Sequence, residues 1–214
     1  MDKNNNNDKS YKIITEGGSD EIEIKKSRFI GQAFPIESTK EAEDIIKSVE
    51  KKYWDARHNC YAYVLGALSE NQRFSDNGEP SGTAGKPILE VIMGAGITNT
   101  LIVVTRYFGG TLLGTGGLVR AYTQASQAAL AASKTAVMTY GQKITFSIGY
   151  DMVDKIQHTF ELMEIPLDNP TYGVDVSYDI IVSAADVDKV ITTITEITSA
   201  RATIIKGDTG FYPI

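Results

Sequence analysis

The chain has 214 residues, enough for one or two domains with cores of their own. Apolar residues make up 42% and charged residues 22%, with 11 Tyr and 7 Phe against one Trp, a globular balance that excludes a disordered or fibrous chain. One cysteine, Cys60, excludes an internal disulfide framework or a multi-cysteine zinc site, and a net charge of -6 argues against a nonspecific coat on nucleic acid.

Residues 1–10 are Asn-rich and charged and read as a disordered tail without the apolar segment of a signal peptide. Ile22 and Ile24, then Phe29 to Ile36, read as a strand pair broken near Lys25-Lys26-Ser27. Ser38-Thr39-Lys40-Glu41 is a capping box, and Ala42, Ile45, Ile46, Val49 and Tyr53 recur at helical spacing, which predicts a helix over 38–53. Cys60 to Leu65 reads as a strand, Phe74 to Gly85 as a turn-rich stretch, Ile88 to Met93 as an apolar segment and Leu101 to Arg106 as a buried strand. The run Leu101–Val104 is far short of the ~20 residues a membrane helix needs. With a lone cysteine, the expectation is a cytoplasmic protein with no membrane role. Gly109 to Gly117 reads as a loop and Leu118 to Ala132 as an Ala-rich helix.

Beyond a boundary near Ala136 to Tyr140 the pattern changes. Gln142 to Ile148 alternates; Asp151 is placed to cap a helix carrying Val153, Ile156 and Phe160; a short strand falls near Pro166 to Tyr172. Val174 to Val182 alternates without a fault, Ser183 and Asp186 open a helix, and Arg201 to Lys206 makes a last strand. The order βαββαβ is the ferredoxin-like pattern, an α+β unit. The acidity belongs to this part: residues 1–136 hold 16 basic and 16 acidic residues, residues 137–214 hold 5 and 11.

Residues 78–117 contain 10 of the 19 glycines. The loop from Arg106 to Arg120 leaves a buried strand and enters a helix whose first amides lack intrahelical acceptors, an arrangement that welcomes an anion. Gly109 and Gly114 have P-loop spacing, but Thr115-Gly116 stands where Lys-Ser/Thr is required. Gly114 and Gly116 begin a dinucleotide fingerprint, but Val119 replaces its third glycine. ATP hydrolysis and a Rossmann cofactor are disfavoured, and no cofactor is implied.

Asp55 to Tyr63 offers His58 and Cys60 on one face of a strand, but same-strand neighbours rarely reach the short hydrogen bond of a nucleophilic dyad. Asp55, His58 and Asp76 lack a recognised metal spacing, so no metal site is assigned. Arg57 and His58 beside Tyr61 and Tyr63 better fit an anion or a base face. In Phe74 to Pro87, Asp76 and Glu79 read as solvated turn carboxylates rather than an acid/base pair, while Ser81, Thr83 and Lys86 add donors suited to phosphate. His158 receives no role.

Four segments in order, Ser27-Arg28-Phe29-Ile30-Gly31, Asp55 to Tyr63, Ser75 to Pro87 and Val104 to Tyr122, closely resemble the YigZ/IMPACT family over about residues 11–135. The resemblance implies a first domain, 11–136, of the ribosomal protein S5 domain 2-like fold, two helices on a mixed sheet in two layers. It implies a second, 137–214, similar to a terminal domain of the translocation elongation factor. The family is associated with translation control; its eukaryotic relative binds a partner of a translation-initiation kinase, and bacterial members are suspected nucleic-acid binders. It brings no established catalytic residues. Its central turn reads Asp-Asp-Gly-Glu-Pro, whereas here Asn77 follows Asp76, which removes one carboxylate.

The expected function is non-enzymatic binding of RNA, the ribosome or a translation factor. The expected anion-binding residues are Arg28, Arg57, His58, Ser81, Thr83, Lys86, Arg106, Gly109, Gly110, Gly114, Thr115, Gly116, Gly117 and Arg120. Two alternatives stay open. A protein-interaction module would show an exposed patch around Tyr61, Tyr107 and Phe108. A small-molecule phosphate-handling enzyme would resemble kinases of a related fold.

Overall fold

The computed structural model describes residues 10–167 and 170–214, so the expected tail lies outside the described residues except for Ser10. The chain divides into two compact units, one of Tyr11–Ala136 and one containing Val137–Ile214. None of the described helices is long and apolar enough to cross a membrane.

The first unit begins with β1 (Tyr11–Glu16) and β2 (Ser19–Ile24). A turn at Lys25 and Lys26, both with positive φ, leads into β3 (Ser27–Pro35). Two left-handed residues make the tight turn whose twist suits an antiparallel hairpin. α1 (Thr39–Lys52) follows, its first turn closed by Ser38, whose Oγ accepts from the Glu41 amide at 3.2 Å. Then come β4 (His58–Leu65), β5 (Asn71–Ser75), α2 (Gly85–Gly94), β6 (Ile97–Thr98), β7 (Thr100–Tyr107) and α3 (Thr115–Ala131).

Five strands form one antiparallel sheet in the order β2-β3-β7-β4-β5, while β1 pairs in parallel with β6. Successive side chains of a strand point to opposite faces, and β7 divides its residues accordingly. Ile102 and Val104 join Phe29, Cys60, Ile88, Leu118 and Tyr122 in the core beneath α2 and α3; Leu101 and Val103 join Ala42, Ile46, Val49 and Tyr63 beneath α1. The expected pair of helices on one face is present. Two details differ from what the resemblance implies: the main sheet is antiparallel rather than mixed, and α1 covers its other face as a third layer. The apolar stripe of α1 requires a partner, and the second face of the sheet supplies it. β1, β5 and the helical form of Ile88–Met93 had no clear periodic signal.

In the second unit, β8 (Lys134–Ile148) begins before the division after Ala136. It is followed by α4 (Val153–Leu162), β9 (Thr171–Tyr172), β10 (Val176–Ser183), α5 (Val187–Ile197) and β11 (Thr203–Pro213). The strand order β9-β10-β8-β11, antiparallel throughout, is that of a ferredoxin-like unit. Ile144, Phe146, Phe160, Tyr178 and Val190 fill its core. Asp151 does not cap α4. It lies in a 3-10 turn, Tyr150–Met152, where its carboxylate accepts from Arg201 Nη2 at 3.2 Å. Val174 falls outside β10 and is exposed.

Candidate functional site

The segments singled out in the sequence meet at one end of the antiparallel sheet. Register pairs Arg28 with Tyr107, and Arg106 with both Phe29 and His58, so β3 and β4 begin where β7 ends. β5 finishes beside Tyr61, at Ser75, and delivers the turn of residues 76–84 to the same end.

That turn is built on Asp76. One carboxylate oxygen accepts from the Ala84 and Gly85 amides at 3.0 and 2.8 Å, the other from the Gly82 amide at 2.8 Å. Asp76 is therefore not a solvated turn residue. It satisfies the leading amides of α2, a helix that no adjacent side chain caps. Burial acts to raise its pKa, but the hydrogen bonds from Gly82, Gly85 and Ala84 outweigh it and hold the carboxyl below its ordinary value. A folded-state pKa below the unfolded one contributes stability above the ordinary carboxylate range, and that contribution is lost as pH falls through the folded value. Urea unfolding is thus expected to show a stability decline below about pH 4 that is shallower in Asp76→Asn, which is already weakened at pH 7. Equal acid sensitivity in both proteins would contradict this role.

The rest of the turn is equally committed. The His58 ring bonds the Asn77 carbonyl at 2.9 Å, the Asn77 side chain accepts from the Asn59 amide at 2.8 Å, and Thr83 Oγ1 donates to the Pro80 carbonyl at 2.6 Å. His58 and buried Thr83 consequently serve the turn rather than an open anion site.

Below the turn lies a buried ionic centre that the sequence did not disclose. Glu79 Oε1 receives Arg106 Nη1 at 2.7 Å and the Tyr122 hydroxyl at 2.7 Å, and the Arg106 and Glu79 side chains are only 7% and 3% exposed. The Arg106 guanidinium also lies 5.4 Å from the Phe29 ring centroid and 5.6 Å from that of Phe108. Arg106 was expected to flank an anion pocket; instead an internal carboxylate neutralises it, because a buried cation needs a partner. Cys60 completes the centre, its thiol donating to the Asp76 carbonyl at 3.0 Å and lying 3.4 Å from the Tyr122 hydroxyl. Burial pushes the thiol pKa up to about 12 and raises that of Tyr122 as well. Cys60 is a protonated core residue, not a nucleophile. Asp76 and Glu79 have separate structural duties, and no group of three His, Cys, Asp or Glu among the described residues is placed to hold a metal.

The glycine loop is part scaffold and part surface. The Gly109 amide donates to Ser27 Oγ at 3.1 Å, and a Cβ at Gly109 would sit 2.0 Å from the Lys26 carbonyl, so this glycine packs on the β2–β3 turn. Gly110 and Gly114 take left-handed conformations with open space around them. Gly114 precedes α3 without any side-chain cap, which leaves the amides of Thr115, Gly116 and Gly117 without an intrahelical acceptor at an exposed helix end. Arg120 is exposed one turn further along, and Ser81 is exposed on the neighbouring turn.

Among the described residues no ion pair or side-chain hydrogen bond engages Arg57, Arg120, Lys25 or Lys26. Arg28 pairs with Glu21 at 3.1 Å yet stays half exposed, and Lys86 stands 3.9 Å from Glu90 at the start of α2. Lys25 and Lys26, expected as a strand break, are also exposed cations at this end of the sheet. Tyr61 and Tyr107 are partly buried, and Tyr107 donates to Asp55 at 2.8 Å. Phe108 and Leu112 are exposed.

Helices on both faces of an antiparallel sheet, joined to a ferredoxin-like unit, define a two-domain α+β protein. Its first part matches the Impact N-terminal domain over residues 25–130 and its second a domain of unknown function, DUF1949, over residues 139–201. The chain is 35% identical over 199 residues to IMPACT family member YvyE of Bacillus subtilis (strain 168), covering 93% of this chain and 92% of that protein. It is 52% identical over 102 residues to IMPACT family member YigZ of Escherichia coli (strain K12), covering 47% and 50%. A solved structure described as that of a hypothetical protein aligns with a TM-score of 0.60 at 34% identity over 92% of this chain and 96% of the other. The chain belongs to the IMPACT family.

Proposed function

We propose that the chain is a translation-associated protein of the cell interior that binds RNA, free or on the ribosome, through the basic end of the first domain's sheet, and that it breaks no bond. The observation that carries this reading is a division of labour among charges. Glu79 Oε1 and both Asp76 carboxylate oxygens are bonded within the fold, while Lys25, Lys26, Arg57 and Arg120 remain in solvent and Gly114 opens α3 without a side-chain cap. Exposed cations and helix amides attract phosphate, and the buried groups that resemble catalytic ones are bonded to each other. The acidic residues of 137–214 repel phosphate and favour binding by the first domain.

Anisotropy of a labelled single-stranded RNA, titrated at rising salt, tests the reading. Three or four phosphate contacts give a log-log slope of roughly -2 to -3, and Arg57→Ala with Arg120→Ala is expected to reduce the slope by about 1 or more. A salt-independent affinity, or no binding at low salt, would overturn it and favour a protein partner seated on Phe108 and Leu112.

A further inference from the structure

We propose that this basic surface takes unpaired bases, stacking single-stranded RNA on a strip where Lys52, Tyr53, Trp54, Arg57, Tyr107 and Arg28 interleave cations with rings. This rests on the reading above and narrows its ligand to single strands.

The strip lies at the end of the sheet on the side of α1. Lys52 Nζ sits 5.0 Å from the Tyr53 ring centroid, and Arg28 Cζ sits 4.8 Å from that of Tyr107, its neighbour across β3 and β7. The Tyr107–Asp55 hydrogen bond ties the segment after α1 to the end of β7. The Tyr53 amide closes α1 on the Val49 carbonyl, and the Ala56 amide returns to the Tyr53 carbonyl at 2.9 Å. This tight turn holds Trp54 on its outer side, 82% exposed. A scattered exposed apolar residue is ordinary, but an indole on a hydrogen-bonded turn, next in the chain to the Lys52–Tyr53 pair and to the Asp55 that bonds Tyr107, is a prepared stacking surface.

Charge favours bases over duplex backbone on this strip. Glu21 partly neutralises Arg28, and Asp55 adds a carboxylate beside Tyr107, so attraction to phosphate is weaker here than at Lys25 and Lys26. The exposed Trp54 ring keeps its full worth. In a duplex the base faces are already stacked and cannot reach it, whereas every base of a single strand can.

Trp54 is the sole tryptophan, so its fluorescence reports this spot alone. A single-stranded RNA of about 12 nucleotides is to be titrated at about 50 mM salt, beside the same strand annealed to its complement. The single strand is expected to quench Trp54 emission at the midpoint seen by anisotropy, and the duplex to bind about tenfold or more weakly without quenching. Trp54→Ala is expected to lose about tenfold in single-strand affinity with little change for duplex, and Trp54→Phe to retain most of it. Equal binding of both forms without quenching, or an unchanged affinity in Trp54→Ala, would overturn the stacking strip while leaving the basic surface standing. Binding of neither form would remove both. The indole is exposed, so melting curves of the variants should match the parent.

Discussion

Arg106→Met is expected to cost about 3–5 kcal/mol of stability, because it leaves the Glu79 carboxylate in the interior with only the Tyr122 hydroxyl to answer its charge. The pair is not thereby a large net source of stability. Two buried ions lose hydration that their attraction only partly returns, so the double variant Arg106→Met with Glu79→Met should recover much of the single-variant loss. Urea unfolding of the parent, both single variants and the double variant closes the cycle, with a coupling energy of several kcal/mol expected. A loss below about 1 kcal/mol in Arg106→Met would mean that the pair is wet and exchangeable, as an exposed ion pair is, and would return Arg106 to the candidate RNA-binding surface.

Gly31→Ala is expected to be similarly severe. A Cβ there would lie 2.2 Å from the Ala125 carbonyl oxygen and 3.2 Å from the Ala129 Cβ, so β3 and α3 touch backbone to backbone at this glycine. A helix carbonyl cannot rotate aside as a side-chain tip can. Relief requires moving α3 off the sheet, at a cost of about 3 kcal/mol, the upper end of typical overpacking losses. The same shift displaces the uncapped start of α3, so RNA affinity should fall with stability. Gly116→Ala is the contrast. Nothing lies within 4 Å of its added methyl, and a helix favours Ala over Gly by up to about 1 kcal/mol, so its unfolding midpoint should stay level or rise. A Gly31→Ala protein as stable as the parent would show that α3 does not approach β3 this closely.

Local patterns in the sequence carried a large part of the fold. Ser38 with Glu41 announced α1, and the alternation from Val176 to Val182 announced β10, because capping and pleating act over a few neighbouring residues. The βαββαβ order likewise followed from successive periods. What escaped is long-range. Glu79 and Arg106, 27 residues apart, and Tyr122, 43 residues from Glu79, meet only through the order of strands, and no spacing in the chain encodes that meeting. Asp76 looked like a solvated turn residue because its partners, the amides that open α2, belong to a helix with weak local signals. The expected basic face was correspondingly only half legible. Charge type pointed to arginines in general, but burial decides which are spent internally, Arg106, and which stay in water, Arg57 and Arg120. Lys25 and Lys26 were hidden behind their turn geometry, and Trp54 behind its lack of any pattern.

The most direct measurement is backbone amide NMR of the full chain titrated with single-stranded RNA. The account predicts shifts confined to the end of the first domain's sheet: residues 25–28, 52–58 and 107–120, the Thr115 to Gly117 amides included. Shifts centred on residues 137–214, or an unchanged spectrum at saturating RNA, would contradict it.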